Sequence, residues 1–324
     1  MISPKSLISA TIMFCSTMVA QAQVVGIATL GQGSSFYAIG AAIAPVMQQK
    51  ANLTSRVQPM SGPSVYIPAL NRGDVEFAIS NSLDAVNSYE GIENFAGHKS
   101  SDVRLVGVVF VNSLGIAVPS DSPIKAIKDL KGVRMPSQFT AQAAMRLQQN
   151  TMLAVDGLST ADMKQYPVAN YLKGMEALSQ GKVDAAMFCV GCAQAQEFNI
   201  ALASHGGLRF LPLPDTPEAL AAMQKIYPGA YVQVFQPSPA LPGVIGPTRL
   251  MVASGFLMTS THVPDDVVYK ATKAIYENKP MLEAYTQYMK TFEPSMMAEA
   301  NIVPYHPGAE RFYKEIGQWP PKKR

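Results

Sequence analysis

The chain is short of the residues that most often carry chemistry. Its 324 residues include three cysteines, four histidines and one tryptophan, and only 15% of them are charged. The histidines do not occur at the spacing of metal ligands, and a net charge of +3 is too small to indicate binding to nucleic acid. The sequence therefore predicts no metal site, no cofactor and no nucleic-acid partner.

Motifs of common enzyme classes are also absent. The chain has no P-loop and no GxSxG elbow, and Gly31-x-Gly33 followed by Phe36 departs from a dinucleotide-binding fingerprint. A lyase or deaminase on a two-lobed fold would need a general base or a Schiff-base lysine in its cleft. No lysine lies in the polar turns described below. We therefore predict that the protein is not an enzyme.

Long apolar runs are missing except near the N-terminus. Lys5 precedes a mostly apolar stretch from Leu7 to Val19, and Ala20-Gln21-Ala22 fits a small-x-small cleavage site. The stretch is shorter than the ~20 residues that a membrane span requires. Cys15 follows the bulky Phe14, which disfavours a lipid anchor. We predict a signal peptide over residues 1–22 and a periplasmic mature protein.

Removal of this signal peptide would leave two cysteines, Cys189 and Cys192, in a CxxC arrangement. In an oxidising compartment such a pair can form one bridge. The pair follows a predicted strand and precedes a predicted helix, which is also the setting of a thioredoxin-like redox motif. The main interpretation is a structural disulfide or two packed thiols, and the alternative function is an exported thiol-disulfide oxidoreductase.

The mature chain opens on a strand, a polar turn and a helix. An apolar run over residues 24–29 leads into a Gly/Ser turn over residues 31–35. Apolar residues then recur at helical spacing, with Pro45 expected to kink the helix or end it early. Such a turn can bind a small anion through backbone N–H groups and hydroxyls, or its serines can simply cap the helix.

Two further units of the same kind follow. The first has a predicted strand at Arg56–Met60, a turn over residues 61–64 and a helix over Val65–Arg72. The second has a predicted strand at Val75–Ser80, followed by a turn at Asn81-Ser82. In a parallel sheet with right-handed crossovers these turns lie along the carboxyl edge, where ligands of open α/β sheets bind.

Later segments continue the pattern. Arg104–Val111 and Gly115–Val118 are predicted as two buried strands. Val133–Met135 is another strand, followed by a turn at residues 136–140 and a helix over residues 141–153 that Thr140 caps. The many prolines between Leu211 and Pro247 favour turns and extended chain there.

A sequence motif that occurs twice indicates two lobes. Residues 69–79 and residues 177–187 share a helix end, a glycine, an acidic residue and a buried strand, 108 residues apart. With 48% hydrophobic residues, the chain can fill two cores. We predict an α/β fold whose first lobe comprises residues 23–118 plus about 248–324 and whose second comprises about 119–247, each a central sheet flanked by helices, joined by a hinge.

Several motifs resemble, in order, those of the TAXI-type solute receptors of tripartite ATP-independent periplasmic (TRAP) transporters. The matching segments are Phe36-Tyr37-Ala38-Ile39-Gly40 after the Gly-rich turn, Ser61-Gly62-Pro63-Ser64-Val65, Arg72 to Ile79, Asp129-Leu130-Lys131-Gly132, Val263 to Asn278 and His306 to Gly317. The resemblance covers nearly the whole mature chain.

This resemblance implies a two-lobed periplasmic-binding-protein fold of type II. It implies a receptor that closes on a small organic anion, such as a glutamate-like amino acid or another carboxylate, and delivers it to a TRAP membrane permease. We expect a monomer that meets the permease transiently.

Polar turns supply the candidate ligand-binding residues, since hydroxyls, amides and backbone N–H groups hold a carboxylate strongly where water is excluded. The candidates are Ser34, Ser35, Phe36, Tyr37, Ser61, Gly62, Ser64, Asn81, Ser137, Gln138, Phe139, Thr140, Arg146, Phe188 and Cys189. Phe36, Phe139 and Phe188 would form apolar walls. Arg146 would pair with a ligand carboxylate, or else be an ordinary solvated arginine.

Three of these turns depart from the family pattern. Asn81-Ser82-Leu83 stands where Gln-Ser-Asp is usual, with Asp84 one position late. The second-lobe turn has Pro136-Ser137-Gln138-Phe139-Thr140 in place of a Gly-rich segment, and the turn after the echoed strand is Cys189-Val190-Gly191-Cys192. Because all three lie where ligand contacts are expected, the resemblance does not assign a ligand.

Overall fold

The computed structural model describes residues 23–321, so the signal peptide predicted over residues 1–22 lies outside the described residues. The strands are β1 (Gln23–Thr29), β2 (Leu53–Pro59), β3 (Phe77–Asn81), β4 (Val103–Pro119), β5 (Arg134–Gln138), β6 (Lys164–Val168), β7 (Ala186–Cys189), β8 (Leu208–Phe210), β9 (Ala230–Phe235) and β10 (Thr248–Ser260). The α-helices are α1 (Ser35–Ala51), α2 (Pro63–Arg72), α3 (Ser82–Glu90), α4 (Ala144–Leu153), α5 (Tyr171–Ser179), α6 (Ala193–Ala201), α7 (Pro217–Ile226), α8 (Asp265–Glu277), α9 (Lys279–Tyr285) and α10 (Pro307–Glu315).

The first three strands form the predicted parallel arrangement. β1 pairs in parallel with β2 on one side and with β3 on the other. Each of these strands leads through a polar turn into a helix, namely α1, α2 or α3. Gly73 ends α2 with a φ of 78°, a left-handed conformation that glycine adopts readily. The three carboxyl-edge turns therefore lie side by side.

Pro45 does not end α1, so the second of the two predicted outcomes, a kink or an early end, is wrong. The helix continues for six more residues to Ala51, and Val46 and Met47 just after the proline are fully buried. Pro45 removes one backbone N–H donor from the helix. Burial of the apolar residues that follow offsets this loss, because helical stability in a folded protein comes mostly from the packing of one face.

A single long strand replaces the two strands predicted over residues 104–118. β4 runs without a break from Val103 to Pro119 and pairs antiparallel with β10 over most of its length. The polar residues Asn112 and Ser113 lie between the two predicted strands. In the structure these residues pair with Ala253 and Val252 of β10, so their backbone groups stay in the sheet.

The long strands join two separate cores into one continuous sheet. The strand order is β2-β1-β3-β10-β4-β7, with β8 added to β4 and β9 added to β10. One core contains apolar residues from 25–110 and 256–313, and the other is built mainly from residues 114–253. The change from one core to the other falls inside β4 and β10, near the pairs Val111–Ser254 and Asn112–Ala253.

We call the half that contains the first core lobe 1 and the half that contains the other lobe 2. We propose that the boundary lies at these two strand pairs. The ends predicted from the sequence, at residues 118 and 248, lie at the far ends of the same strands.

The C-terminal segments pack against the first three units. α8 buries the apolar face predicted for it, made of Val267, Val268, Ala271, Ala274 and Ile275. Phe312 and Tyr313 of α10 belong to the same core as β1 and α1. Lobe 1 is therefore built from both ends of the described chain.

Two local predictions in lobe 2 are wrong at their boundaries. β5 extends to Gln138, into the predicted turn, and α4 begins at Ala144 without a side-chain cap from Thr140. The backbone N–H groups of Thr140 and Ala141 donate instead to the carbonyls of Val168 and Ala169, at the end of β6. Hydrogen bonding to this neighbouring segment delays the start of the helix.

The proline-rich segment is mostly turns and extended chain, as predicted, but it also contains a helix. α7 and β9 both lie within it. Pro217 occupies the first turn of α7, where a missing N–H group costs little, and Pro228 comes just after the helix ends. The prolines thus border the helix rather than prevent it. Among the described residues, no helix is long and apolar enough to cross a membrane.

Candidate functional site

The N-terminal ends of four helices converge on a small enclosed space between the lobes. We call it the interlobe cavity; its volume is about 20 Å³. Lobe 1 supplies the first six of its lining residues and lobe 2 the last three: Leu30, Phe36, Pro63, Ser64, Asn81, Asp84, Gln142, Ala144 and Met145. Turns from both halves of the chain therefore face one another.

Three of the candidate residues line this cavity directly: Phe36, Ser64 and Asn81. The ring of Phe36 packs edge-on against Phe110 of β4, with 5.3 Å between the ring centroids. The Ser64 hydroxyl accepts a hydrogen bond from Nδ2 of Asn94 at 2.8 Å. Gly62, just before α2, lies close to lobe 2, since a Cβ there would be 3.2 Å from the carbonyl oxygen of Ala141.

The other serines of lobe 1 are placed differently. Ser34 is buried, accepts a hydrogen bond from the Tyr37 N–H and donates one to the carbonyl of Gly31, so its hydroxyl caps α1. Ser35 and Tyr37 are half-buried in the first turn of that helix, and Ser61 is exposed. The capping interpretation of Ser34 thus describes its contacts fully.

Asp84 is the one acidic residue of the cavity lining. Only 2% of its surface is exposed, and its Oδ2 atom accepts a hydrogen bond from Nδ2 of Asn81 at 2.7 Å. Asn81 in turn caps α3, since its Oδ1 atom accepts the Asp84 backbone N–H. Burial raises the pKa of Asp84 to about 6, although the hydrogen bond from Asn81 lowers it.

Lobe 2 brings an unusual backbone to the site. Gln138 and Phe139 have φ angles of 65° and 50°, which non-glycine residues rarely adopt. Phe139 is buried beside Gly174 of α5, whereas Gln138 and Thr140 are exposed. Ser137 is fully buried, and its hydroxyl has no hydrogen-bond partner among the described residues. The strained turn places Gln142 and Met145 at the cavity.

The remaining candidates lie away from the cavity. Arg146 is half-exposed and forms an ion pair of 3.2 Å with Glu93 of lobe 1. Phe188 is fully buried in the lobe 2 core, edge-on to Phe198. Cys189 is also buried there.

Cys189 and Cys192 form a disulfide with Cα atoms 5.7 Å apart. Both residues are at most 6% exposed. A redox-active cysteine has to be reached by a thiol or a disulfide of another molecule. The burial of this pair therefore disfavours the alternative of a thiol-disulfide oxidoreductase.

Besides the Arg146–Glu93 ion pair, two sets of hydrogen bonds join the lobes. The Tyr227 hydroxyl of lobe 2 lies 2.7 Å from the Ser82 hydroxyl and 3.2 Å from the Leu83 backbone nitrogen, at the start of α3. Near the disulfide, Gln287 Nε2 and the Tyr288 hydroxyl both donate to the carbonyl of Gly191, at 2.7 and 2.9 Å. The structure is thus that of a closed cleft.

Sequence reasoning did not assign Gln142, Met145, Asp84 or Tyr227 to the site. Gln142 and Met145 follow the predicted turn at once, and only the late start of α4 brings them to the cavity. The sequence does contain a signal for Asp84, because this acidic residue stands one position later than the aspartate of the family pattern. Tyr227 carried no signal, because its partners on α3 are about 145 residues away.

In the region 23–321, no group of three or more His, Cys, Asp or Glu side chains could hold a metal ion.

The architecture defines the class of protein. Two α/β lobes, two long strands that pass between them and helix N-termini around the cleft are the two-domain periplasmic-binding-protein fold. The chain belongs to the NMT1-like family, whose sequence profile matches residues 27–317.

Solved structures share this fold at low sequence identity. The binding-protein component of an ABC phosphonate transporter from Pseudomonas aeruginosa superposes with a TM-score of 0.55 at 9% identity, covering 84% of this chain and 80% of that one. The alkanesulfonate-binding protein SsuA from Xanthomonas axonopodis pv. citri gives 0.50 at 18%, covering 90% and 83%. The substrate-binding protein of an amino acid ABC transporter gives 0.50 at 13%, covering 82% and 99%.

Proposed function

We propose that the protein is an extracytoplasmic solute receptor that holds a small organic anion between its lobes. The observation that carries this proposal is the convergence of four helix N-termini, from both lobes, on one enclosed space. Unpaired backbone N–H groups and a partial positive charge at a helix N-terminus favour a carboxylate or a similar anion. The solved proteins of the same fold, named above for phosphonate, alkanesulfonate and amino acid transport, agree with this class of activity.

Ligand entry requires that the lobes separate. A cavity of about 20 Å³ has room for little more than one water molecule, whereas ligand pockets usually measure about 300–1,000 Å³. β4 and β10 alone carry the main chain across the proposed boundary near Val111 and Ser254. We propose that they bend there, that the ligand enters an open form, and that its contacts with both lobes favour closure.

The transport partner follows from the resemblance to the TAXI-type receptors. We propose that the closed receptor, as a monomer in the periplasm, docks on the membrane subunits of a TRAP permease. The NMT1-like family membership and the ABC-transporter neighbours leave an ABC permease as the competing partner. Co-purification of the receptor with each class of permease from the same organism would distinguish the two.

A thermal-shift screen tests the receptor function. The mature chain, starting at Gln23, would be melted with amino acids, dicarboxylates, sulfonates and phosphonates in turn. A ligand that binds only the folded state raises the melting temperature. At a concentration one hundred times its Kd, it adds about 2.7 kcal/mol to the free energy of unfolding. If no compound of any class shifts the melting temperature, the receptor proposal fails for small organic anions.

A further inference from the structure

One oxygen of the buried Asp84 carboxylate has no hydrogen-bond partner within residues 23–321. Oδ2 accepts the hydrogen bond from Asn81, but Oδ1 accepts none from the described residues, and the side chain lines the interlobe cavity. Asp84 is 2% exposed, and a carboxylate so largely withdrawn from water carries a substantial free-energy cost unless its oxygens accept hydrogen bonds. The site is therefore incomplete around this atom.

No cation of the described chain offsets this charge. The cavity lining contains no lysine, arginine or histidine, and Asp84 takes part in none of the ion pairs among residues 23–321. Two phenols are near enough to interact electrostatically with Asp84, namely Tyr66 and Tyr227. Tyr66 donates its proton to the Ile79 carbonyl, and Tyr227 is engaged with α3.

We infer that Asp84 receives a protonated amine of the ligand, so that the ligand is an amino acid or another small carboxylate that also bears an amine. This inference rests on the receptor function proposed above. The helix N-termini would hold the carboxylate, and Asp84 would hold the ammonium through a charge-assisted hydrogen bond to Oδ1. An anion without an amine would instead bring a second negative charge towards Asp84, which disfavours simple sulfonates, phosphonates and dicarboxylates.

Matched ligand pairs test this inference on the unaltered mature protein. Titration calorimetry would compare L-glutamate with glutarate, L-leucine with 4-methylpentanoate and L-phenylalanine with 3-phenylpropanoate. We expect the amine-bearing member of at least one pair to bind at least about tenfold more tightly. If an amine-free acid binds as tightly as its partner or better, the inference is wrong while the receptor function stands. If no amine-bearing probe binds, the inference is also wrong, and the thermal-shift screen decides the receptor function separately.

A substitution then tests whether the ligand amine binds at Asp84. Asp84→Asn keeps the shape of the side chain and removes its charge, and Asp215→Asn removes one charge from an exposed turn as the matched control. We expect Asp84→Asn to weaken the amine-bearing probe by about 30-fold or more and to leave its amine-free partner unchanged or tighter. Asp215→Asn should change neither. Equal weakening of both partners by Asp84→Asn would overturn the assignment, and circular dichroism would verify that each variant is folded.

Discussion

Asp84 shows how one buried side chain links stability to binding. Its pKa of about 6 in the folded protein exceeds the ordinary value of 3.8, chiefly because of burial. Between these two values the unfolded chain has released the proton while the folded chain still holds it, so stability falls as pH rises. Above pH 6 the loss is complete. The groups that face Asp84 from other elements, Tyr66 and Tyr227, stay neutral over this range, which lies far below the usual phenol pKa of 10.0, and burial raises their pKa values further.

The Asp84→Asn variant should therefore be the more stable protein at neutral pH. We expect the difference in free energy of unfolding between variant and wild type to grow by about 3 kcal/mol from pH 3.8 to above pH 6, since each unit of pKa shift corresponds to about 1.4 kcal/mol. Urea unfolding at a series of pH values measures this difference, and subtraction cancels the contribution of every other titrating group. If the difference in free energy of unfolding does not change with pH, ionisation of Asp84 does not destabilise the folded state.

The sequence predicts some residues of the site well and others poorly, for a physical reason. Phe36, Ser64 and Asn81 follow strands of a parallel sheet, and the topology alone brings such turns together. Whether a side chain at a helix start faces the cavity or caps its own helix depends on rotation within the first turn. Ser34 turns inwards to cap α1, and no sequence pattern separates it from Ser64.

Long strands were harder to predict than the strand–turn–helix units. The units around α1, α2 and α3 can each be recognised from neighbouring residues alone. Each shows apolar residues at a regular period, a polar turn and a residue that stops the helix. β4 passes from one core to the other, and the polar Asn112-Ser113 pair lies where the cores change. Local periodicity cannot distinguish such a crossing from a loop, because the partner β10 lies far along the chain.

Gly255 of β10 lets this pair of strands lie close to Phe110. A Cβ at position 255 would clash with the buried Phe110 ring, which itself packs on Phe36. We expect Gly255→Ala to lower the free energy of unfolding by about 1–3 kcal/mol through overpacking. Gly246→Ala, where a Cβ meets nothing within 4 Å, is the control and should stay within about 0.5 kcal/mol. Denaturant midpoints measure both, and equal midpoints would show that the strands can move apart freely.

The turn between β7 and α6 is braced by the disulfide. Cross-linking two cysteines three positions apart removes about 2 kcal/mol of chain entropy from the unfolded state by the usual loop estimate. We expect the double variant Cys189→Ser, Cys192→Ser to lose a comparable amount of stability relative to the oxidised protein.

Reducing conditions provide the control. There the double variant and the reduced wild type should have the same free energy of unfolding. Reversible denaturant unfolding of both proteins, with and without reductant, measures the effect. Equal stability of the oxidised wild type and the variant would indicate that the bond does not constrain the chain.

We expect the proposed closure of the two lobes to depend on a few identifiable contacts. The Tyr227 hydroxyl contacts the Ser82 hydroxyl and the Leu83 nitrogen, all buried. Removing this hydroxyl leaves polar groups of α3 unpaired in the closed form, at a cost of about 1–3 kcal/mol, but not in an open form that water can enter.

The Tyr227→Phe variant should therefore populate the open form more. We expect a larger radius of gyration by small-angle X-ray scattering without ligand, and weaker apparent affinity for any ligand that the thermal-shift screen identifies. Tyr285→Phe, at an exposed position, is the control. An unchanged radius and affinity in Tyr227→Phe would mean that the contact with α3 plays no part in closure.

The discontinuity of lobe 1 bears on how the protein would fold during the export that we propose for it. Residues 25–110 share their core with residues 256–313, whereas the core of lobe 2 is nearly contiguous in the chain. A polypeptide threaded through a membrane from its N-terminus cannot finish lobe 1 until α10 has emerged, so lobe 2 has the earlier opportunity to fold. The core of lobe 2 is also more local in sequence, which favours faster folding of the complete chain, so pulse-labelling hydrogen exchange during refolding should show amides of β7 and α5 protected before those of β1 and β2.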